Sequence, residues 1–375
     1  MLSFHQLSFW EREEFLSQQD FVVVGAGIVG LSTALFLRKK FSTAKILVLE
    51  RGYLPTGAST KNAGFACFGS PTELFDDLQH YPEEMVWETV KNRYFGLQTL
   101  FSLIDPKEIA YQNCGSWDLI SLTEKRKITP EFIRYLNQRM LSFTGKNKVF
   151  TEDKTVCQKF GFSGVNSSYI NHLEGSIDTG KLIKTLFKKA NTRDVQFLFG
   201  TNLVGFENQG NEILLDTNFG ILKTAKLLIC TNGFASSLLD LDVKPARAQV
   251  LITKPIEDLK VKGTFHLDGG YYYFRNVKSR VLLGGGRNLD VTGETTTDFG
   301  TTELIQNALH QLLSAVILPN TEFEVDYSWS GIMGVGNEKK PIIKKLNNNL
   351  GIGVRMGGMG VAIGAEVGKK LAALL

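Results

Sequence analysis

Phe21-Val22-Val23-Val24-Gly25-Ala26-Gly27-Ile28-Val29-Gly30, followed by Lys45-Ile46-Leu47-Val48-Leu49-Glu50, is the stretch whose reading decides the fold. Residues 21–25 are a short β-branched run ending in glycine, the pattern of a strand buried on both faces. From Ala26 to Lys40, the residues Ile28, Leu31, Ala34, Leu35 and Leu37 recur at helical spacing. Residues 45–50 are a second apolar strand, closed by an acid. Strand, helix and strand in this order predict a βαβ unit, and so a parallel sheet with helices on both faces. The turn Gly25-Ala26-Gly27-Ile28-Val29-Gly30 is GxGxxG, and Glu50 follows about 20 residues later. Gly25 permits the tight turn, Gly27 lets backbone approach a pyrophosphate, and Gly30 allows close helix–strand packing. The helix N-terminus supplies unbonded N–H donors and partial positive charge for phosphates. Glu50 is placed to accept hydrogen bonds from ribose hydroxyls. Alone the motif would be weak; between this strand and this helix it reads as a dinucleotide crevice.

The rest of the chain frames that unit. Its 375 residues exceed one typical domain. With 43% hydrophobic and 21% charged residues, wholesale disorder is excluded. The formal charge of +4, with both signs mixed throughout, gives no basic patch for nucleic acid. Cys67, Cys114, Cys157 and Cys230 lie far apart with no CxxC, and read as reduced thiols. His5, His80, His172, His266 and His310 also fall at no metal-ligand spacing, so no metal is expected. The first residues contain acids where a signal peptide needs an apolar run, and no stretch of about 20 apolar residues occurs. A cytoplasmic protein without a membrane span is expected.

Periodicity predicts helices at 82–104, 130–143 and 179–190, a strand at 195–199, and three strands within 202–230. Beyond 246 the pattern becomes alternating strands, at 248–253, 271–275, 280–284 and 322–329, with a helix at 302–317. A glycine-rich turn and a terminal helix close the chain at 351–375.

GxGxxG does not choose between NAD and FAD. Two later segments tip the balance. Gly57-Ala58-Ser59-Thr60-Lys61-Asn62-Ala63-Gly64-Phe65 follows the βαβ unit where a flavin's ribityl chain would run, and Thr231-Asn232-Gly233 ends a buried strand on the same sheet edge. With Gly175-Ser176-Ile177-Asp178, Pro245 to Gln249, Leu282 to Gly286, Trp329-Ser330-Gly331 and Gly357-Gly358-Met359-Gly360-Val361, the chain resembles the D-amino-acid oxidase superfamily of FAD-dependent oxidoreductases. Glycine oxidase, sarcosine oxidase and gamma-glutamylputrescine oxidase belong to that group.

The resemblance implies an α/β (α+β composite) fold, in which a Rossmann-like FAD-binding domain (1–84, 165–245 and 330–375) interleaves with an antiparallel-sheet substrate domain (85–164 and 246–329). It implies that Glu50 and Arg51 flank the adenosine ribose, with Leu203 at the adenine. Ser59, Thr60, Lys61 and Asn62 would line the pyrophosphate or ribityl chain, and Phe65 and Ala66 would approach the flavin ring. Thr231, Asn232, Gly233 and Gly331 would border the same crevice. Gly357 to Val361 would bring a helix N-terminus to the pyrimidine end, where a positive dipole stabilises the reduced flavin. Members with covalent flavin use a Cys near the C-terminal segment or a His near the ring; 329–361 and 59–65 contain neither, so the FAD is expected to be non-covalent.

The activity so implied is oxidation of a C–N bond in a small amine or amino acid, by hydride transfer to flavin N5 and hydrolysis of the imine. Candidate substrate residues are Tyr271, Tyr273, Arg275, Arg287, Trp329 and Met333. On a strand, Tyr271, Tyr273 and Arg275 share one face, so two phenols and a guanidinium could bind an anion. His266 is read as a structural imidazole. Two departures stand out. Met333 occupies the place near which glycine and D-amino-acid oxidases carry a carboxylate-binding arginine, unless Arg275, Arg287 or Arg355 substitutes. Leu282 stands where sarcosine oxidases carry an oxygen-activating lysine, leaving both oxidase and dehydrogenase open. A flavin-dependent tRNA-modifying oxidoreductase and a flavin-binding protein without turnover are the alternatives.

Overall fold

The computed structural model describes residues 6–375; of the histidines, His5 lies outside them. The expected βαβ unit opens an eight-stranded sheet. Its main order is Ile342–Lys345, Leu350–Val354, Gly220–Ile229, Gln19–Val24, Ile46–Glu50 and Val195–Phe199. Four of its five pairings are parallel, and Ile342–Lys345 joins Leu350–Val354 antiparallel at one edge. Leu203–Asn208 and Ile213–Thr217 extend it as an antiparallel ribbon. Val22, Val23, Val48 and Leu228 are fully buried, as strands covered on both faces require. The helix Ile28–Lys40 and the terminal helix Gly360–Ala373 pack over one face, and Val29, Leu31, Val367 and Leu371 share that core.

A second eight-stranded sheet runs Val325–Val335, Lys244–Thr253, Arg280–Gly285, Tyr272–Val277, Thr264–Leu267, Ser116–Ser121, Val165–Asn171 and Phe150–Glu152. The antiparallel expectation holds for every pairing but one: Thr264–Leu267 runs parallel to Ser116–Ser121. On one face, Trp117, Phe160, Phe162, Phe265 and Phe274 form an aromatic core under Ile305 and Leu309 of the helix Glu303–Leu312. Side chains alternate across a strand, so Tyr273 faces away from that core, beside its buried neighbour Phe274.

Several boundaries differ from the periodicity reading. The helix expected at 302–317 ends at Leu312, where five residues widen into a π-turn. The last strand of the second sheet extends to Val335, and the tyrosine strand begins at Tyr272, leaving Tyr271 in the preceding turn. Val165–Asn171, grouped by sequence with the nucleotide unit, hydrogen-bonds in the second sheet. Conversely, Glu83–Leu103, grouped with the substrate unit, places Val86, Val90, Leu97 and Leu100 in the core of the first sheet's helices. Thr99 on it donates to Glu366 of the terminal helix at 2.6 Å. Periodicity predicts this helix but does not show what it packs on.

Candidate active site

One cavity of about 1960 Å³ runs between the two sheets, from the GxGxxG turn to the face carrying Tyr273. Its first half is made of backbone. Gly25 has φ +104°, and a Cβ on Gly30 would lie 1.8 Å from the carbonyl oxygen of Gly25, so strand and helix meet with no room for a side chain. Ser59 caps the helix from a distance: its Oγ accepts the Ile28 N–H at 3.0 Å, leaving its own proton to donate into the crevice. The Glu50 carboxylate accepts the N–H groups of Ala26 and Gly52, both at 3.0 Å. Those two bonds aim it into the cavity, with lone pairs remaining for two more donors. Arg51 stacks on Phe234 with its guanidinium 3.7 Å from the ring centroid, and this pair and Leu203 line the far end.

Between the ends, Gly27, Val29, Lys61, Asn62, Thr231 and Asn232 line the passage. The Thr231 hydroxyl is buried and has no partner among the described residues. Asn232, at φ +49°, accepts the Met356 N–H at 3.0 Å and so fixes the turn into the terminal helix. Gly331 and Gly357 to Val361 then bring that helix's first-turn amides to the cavity.

Five of the expected cofactor residues act from behind the wall, among them Gly30, packed against the Gly25 carbonyl. Thr60 turns away and donates to Pro55 O at 2.7 Å. Ala66 pairs with Gly175 in a small ribbon. Gly233 packs where a Cβ would meet Met333 O at 2.3 Å, and Ala26 contributes its amide to Glu50.

The second half is made of side chains. Phe65 meets His266 and Tyr273 edge to face, with ring centroids 5.1 and 5.8 Å away. A Cβ on Gly284 would come within 2.6 Å of the Tyr273 ring, so the glycine run 284–286 makes space for that ring to lie flat on its sheet. Burial pushes the Tyr273 phenol up to about 12. Met333 and Arg287 complete this wall, and half-exposed Tyr271 stands at its edge.

The arginine triad of possibilities separates cleanly. Arg275 is buried outside the cavity wall; its Nη1 donates to Gly64 O and Ile177 O, both at 2.8 Å. Gly64 turns at φ +76°, and its carbonyl and that of Ile177 converge on the guanidinium, which therefore ties the second sheet to the small ribbon of Phe65–Ala66 and Gly175–Ser176. Arg355 pairs with Asp242 and Glu338 and bonds Lys340 O. Trp329, too, is a brace, donating to Lys61 O at 3.0 Å. Arg287 lines the cavity, and its buried Nε has no hydrogen-bond partner among the described residues. The nearby Glu294 is already held by Arg247 and Gln249.

The structure also brings in groups that sequence reasoning missed. The helix Pro71–His80 presents Glu73, Asp77 and His80 to the cavity, one helical face at the spacing i, i+4, i+7. That spacing, behind a Ser70 cap and Pro71, was the available signal. Burial opposes the charge on Glu73, but Arg93 at 3.0 Å and Lys339 outweigh it and hold the carboxyl at about 2. His266 was expected to be satisfied; its ring makes no hydrogen bond to a described residue, and burial lowers it to about 4 despite nearby Glu73. Leu282 packs with Ala63 and Ile252, so no cation stands at this position.

The chain from residue 20 to 374 matches the family model described as FAD dependent oxidoreductase. This protein belongs to that family. It is 22% identical to the sarcosine oxidase subunit beta of Rhizobium meliloti, over 90% of this chain and 79% of that one. It is also 22% identical to the bifunctional protein ThiO/ThiG of Trichormus variabilis over 87% of its length, but spans only 47% of that protein. Among solved structures, the L-proline dehydrogenase of P. horikoshii shares its fold at a TM-score of 0.75 and 18% identity, covering 96% of this chain and 94% of that one. The glycine oxidase of Bacillus cereus follows at 0.74 and 16%, covering 95% and 94%.

The residues present fit FAD. The glycine cradle, the aimed Glu50 carboxylate, the orphaned Thr231 hydroxyl and the helix N-terminus succeed one another along one elongated cavity. The family member is thus an FAD-dependent oxidoreductase. No helix among the described residues is long and apolar enough to cross a membrane.

Proposed function

We propose that this oxidoreductase oxidises a C–N bond of a small amine or amino acid, and that Arg287 favours substrates bearing a carboxylate. Bound non-covalently, FAD would supply the two-electron acceptor, taking a hydride from the substrate carbon and leaving an imine for water to hydrolyse. The chain's own part is positioning. Phe65, Tyr273 and Met333 form an apolar wall that excludes water, while the neutral His266 ring adds no charge against an amine. At the opposite wall the helix N-terminus favours electron density arriving at the cofactor.

The observation that carries this reading is Arg287. Of the arginines that could replace the missing one at Met333, it alone both lines the cavity and lacks a hydrogen-bond partner at a buried nitrogen. A partly buried guanidinium in that state is a receptor for a carboxylate. The test is anaerobic bleaching of the bound flavin by N-methyl amino acids, D-amino acids, proline and the corresponding amines without carboxylates. Carboxylated compounds should bleach it, and Arg287→Met should erase their advantage. A panel that leaves the flavin oxidised throughout would refute C–N oxidation; equal bleaching by the decarboxylated amines would refute the role of Arg287 alone.

A further inference from the structure

Cys67, Glu174 and His266 meet at the floor of the substrate wall, on segments far apart in the sequence. The thiol sulfur, a carboxylate oxygen and a ring nitrogen all lie within 4.8 Å of one another. The fold explains the meeting. In the small antiparallel ribbon, Phe65 pairs with Ser176 and Ala66 with Gly175, so the next residues outward, Cys67 and Glu174, stand opposite each other. The carboxylate of Glu174 accepts the N–H groups of Phe68 and Gly69 at 2.7 and 3.0 Å, fixing it to the segment that carries Cys67. His266 arrives from the other side, on the second sheet, between its strand partners Tyr273 and Asp118.

We propose that these three side chains form a binding site for a divalent, zinc-type metal ion, which would join the ribbon to the second sheet. The donor set is one soft thiolate, one imidazole and one carboxylate, the mixture that selects zinc over magnesium or calcium. Binding displaces the thiol proton and the proton that burial favours on Glu174, and leaves two anionic donors to offset the dication. Glu73 acts electrostatically on both Cys67 and His266, but it is already paired with Arg93 and Lys339 and adds no net charge to the site. Two of the donors, Cys67 and His266, line the cavity, so three protein ligands would leave a fourth coordination position facing the substrate compartment. The imidazole makes no competing hydrogen bond, and the backbone bonds to Glu174 supply the outer support that ligating carboxylates require. Tetrahedral ligands around zinc stand closer than the present spacing, so the donors draw together by about 1 Å on binding.

The site shares His266 with the substrate wall, so its test reads metal and flavin content rather than activity. FAD-loaded protein, stripped with a chelator, is titrated with zinc and separately with cobalt(II), and flavin content is read in the same samples. Zinc should bind at one equivalent per chain and raise the melting temperature. Cobalt(II) should give tetrahedral bands beyond the red edge of flavin absorption. Cys67→Ala and His266→Gln should each abolish the bands while keeping flavin. Failure of the wild-type protein to hold zinc overturns the site, as does cobalt binding that is octahedral or survives in either flavin-containing variant. Loss of flavin from the wild type would strike the functional reading instead.

Discussion

The two halves of the cavity are built on different rules. The crevice at the first sheet is backbone: glycines at 25, 27 and 30, amides at a helix end, and one carboxylate held by two N–H groups. The wall at the second sheet is side chains delivered from separate strands and helices, with Phe65, His266, Tyr273, Arg287 and Met333 meeting only when the sheets do. Backbone recognition suits a ligand that does not vary; converging side chains suit one that does. A change in the crevice should therefore remove the cofactor, whereas a change in the wall should alter preference and leave the flavin in place.

The largest effect is expected at Gly30. Gly30→Val puts side-chain atoms onto the Gly25 carbonyl, where even a Cβ would sit at 1.8 Å. It should cost ~3 kcal/mol or more and yield protein without flavin, read as the absorbance ratio after purification. Arg275→Met comes next. It leaves the buried Ile177 carbonyl unbonded, while Gly64 O keeps the Ile177 N–H, and should lower stability by about 1–3 kcal/mol in denaturant melts. Arg287→Met is its counterpart inside the cavity: no measurable change in stability, but KM for carboxylated substrates raised roughly 10–100-fold. If the two variants behaved alike, the distinction between brace and receptor would be wrong. Glu50→Ala tests the crevice more gently, and should weaken FAD roughly 10–100-fold in reconstitution titrations.

The smallest effect concerns pH. Burial raises the Asp118 carboxyl from 3.8 to about 7, even though it accepts both the N–H and the hydroxyl of Thr72. The folded state therefore holds this proton more tightly than the unfolded chain. The resulting stabilisation is complete below pH 3.8 and is lost as pH rises through about 7. Asp118→Asn should flatten the stability profile across that window, where one such group contributes a slope of at most about 1.4 kcal/mol per pH unit. An unchanged profile would show that Asp118 does not titrate there.

What could be read from the sequence follows the same division. Gly25, Gly27, Gly30 and Glu50 are local, since a strand, a turn and a helix in succession dictate their roles. The helices 130–143 and 179–190 carried enough periodicity to be placed within one residue of Pro130–Thr144 and Thr179–Asn191. The strands Ser116–Ser121 and Phe150–Glu152 were missed because they are short and find their partners only in the second sheet. Glu73 and Arg93 belong to two different helices, and nothing in either helix announces the ion pair. Arg275 shows the converse failure. Strand alternation placed it on the right face, but only the turn at Gly64 reveals that two carbonyls already hold it.

The most direct measurement is the visible spectrum of freshly purified protein, taken before and after acid precipitation. A yellow protein with one FAD per chain, all of it released to the supernatant, is what the glycine crevice and the proposed non-covalent binding predict. A colourless protein that added FAD cannot reconstitute, or colour that stays in the pellet, would contradict this account.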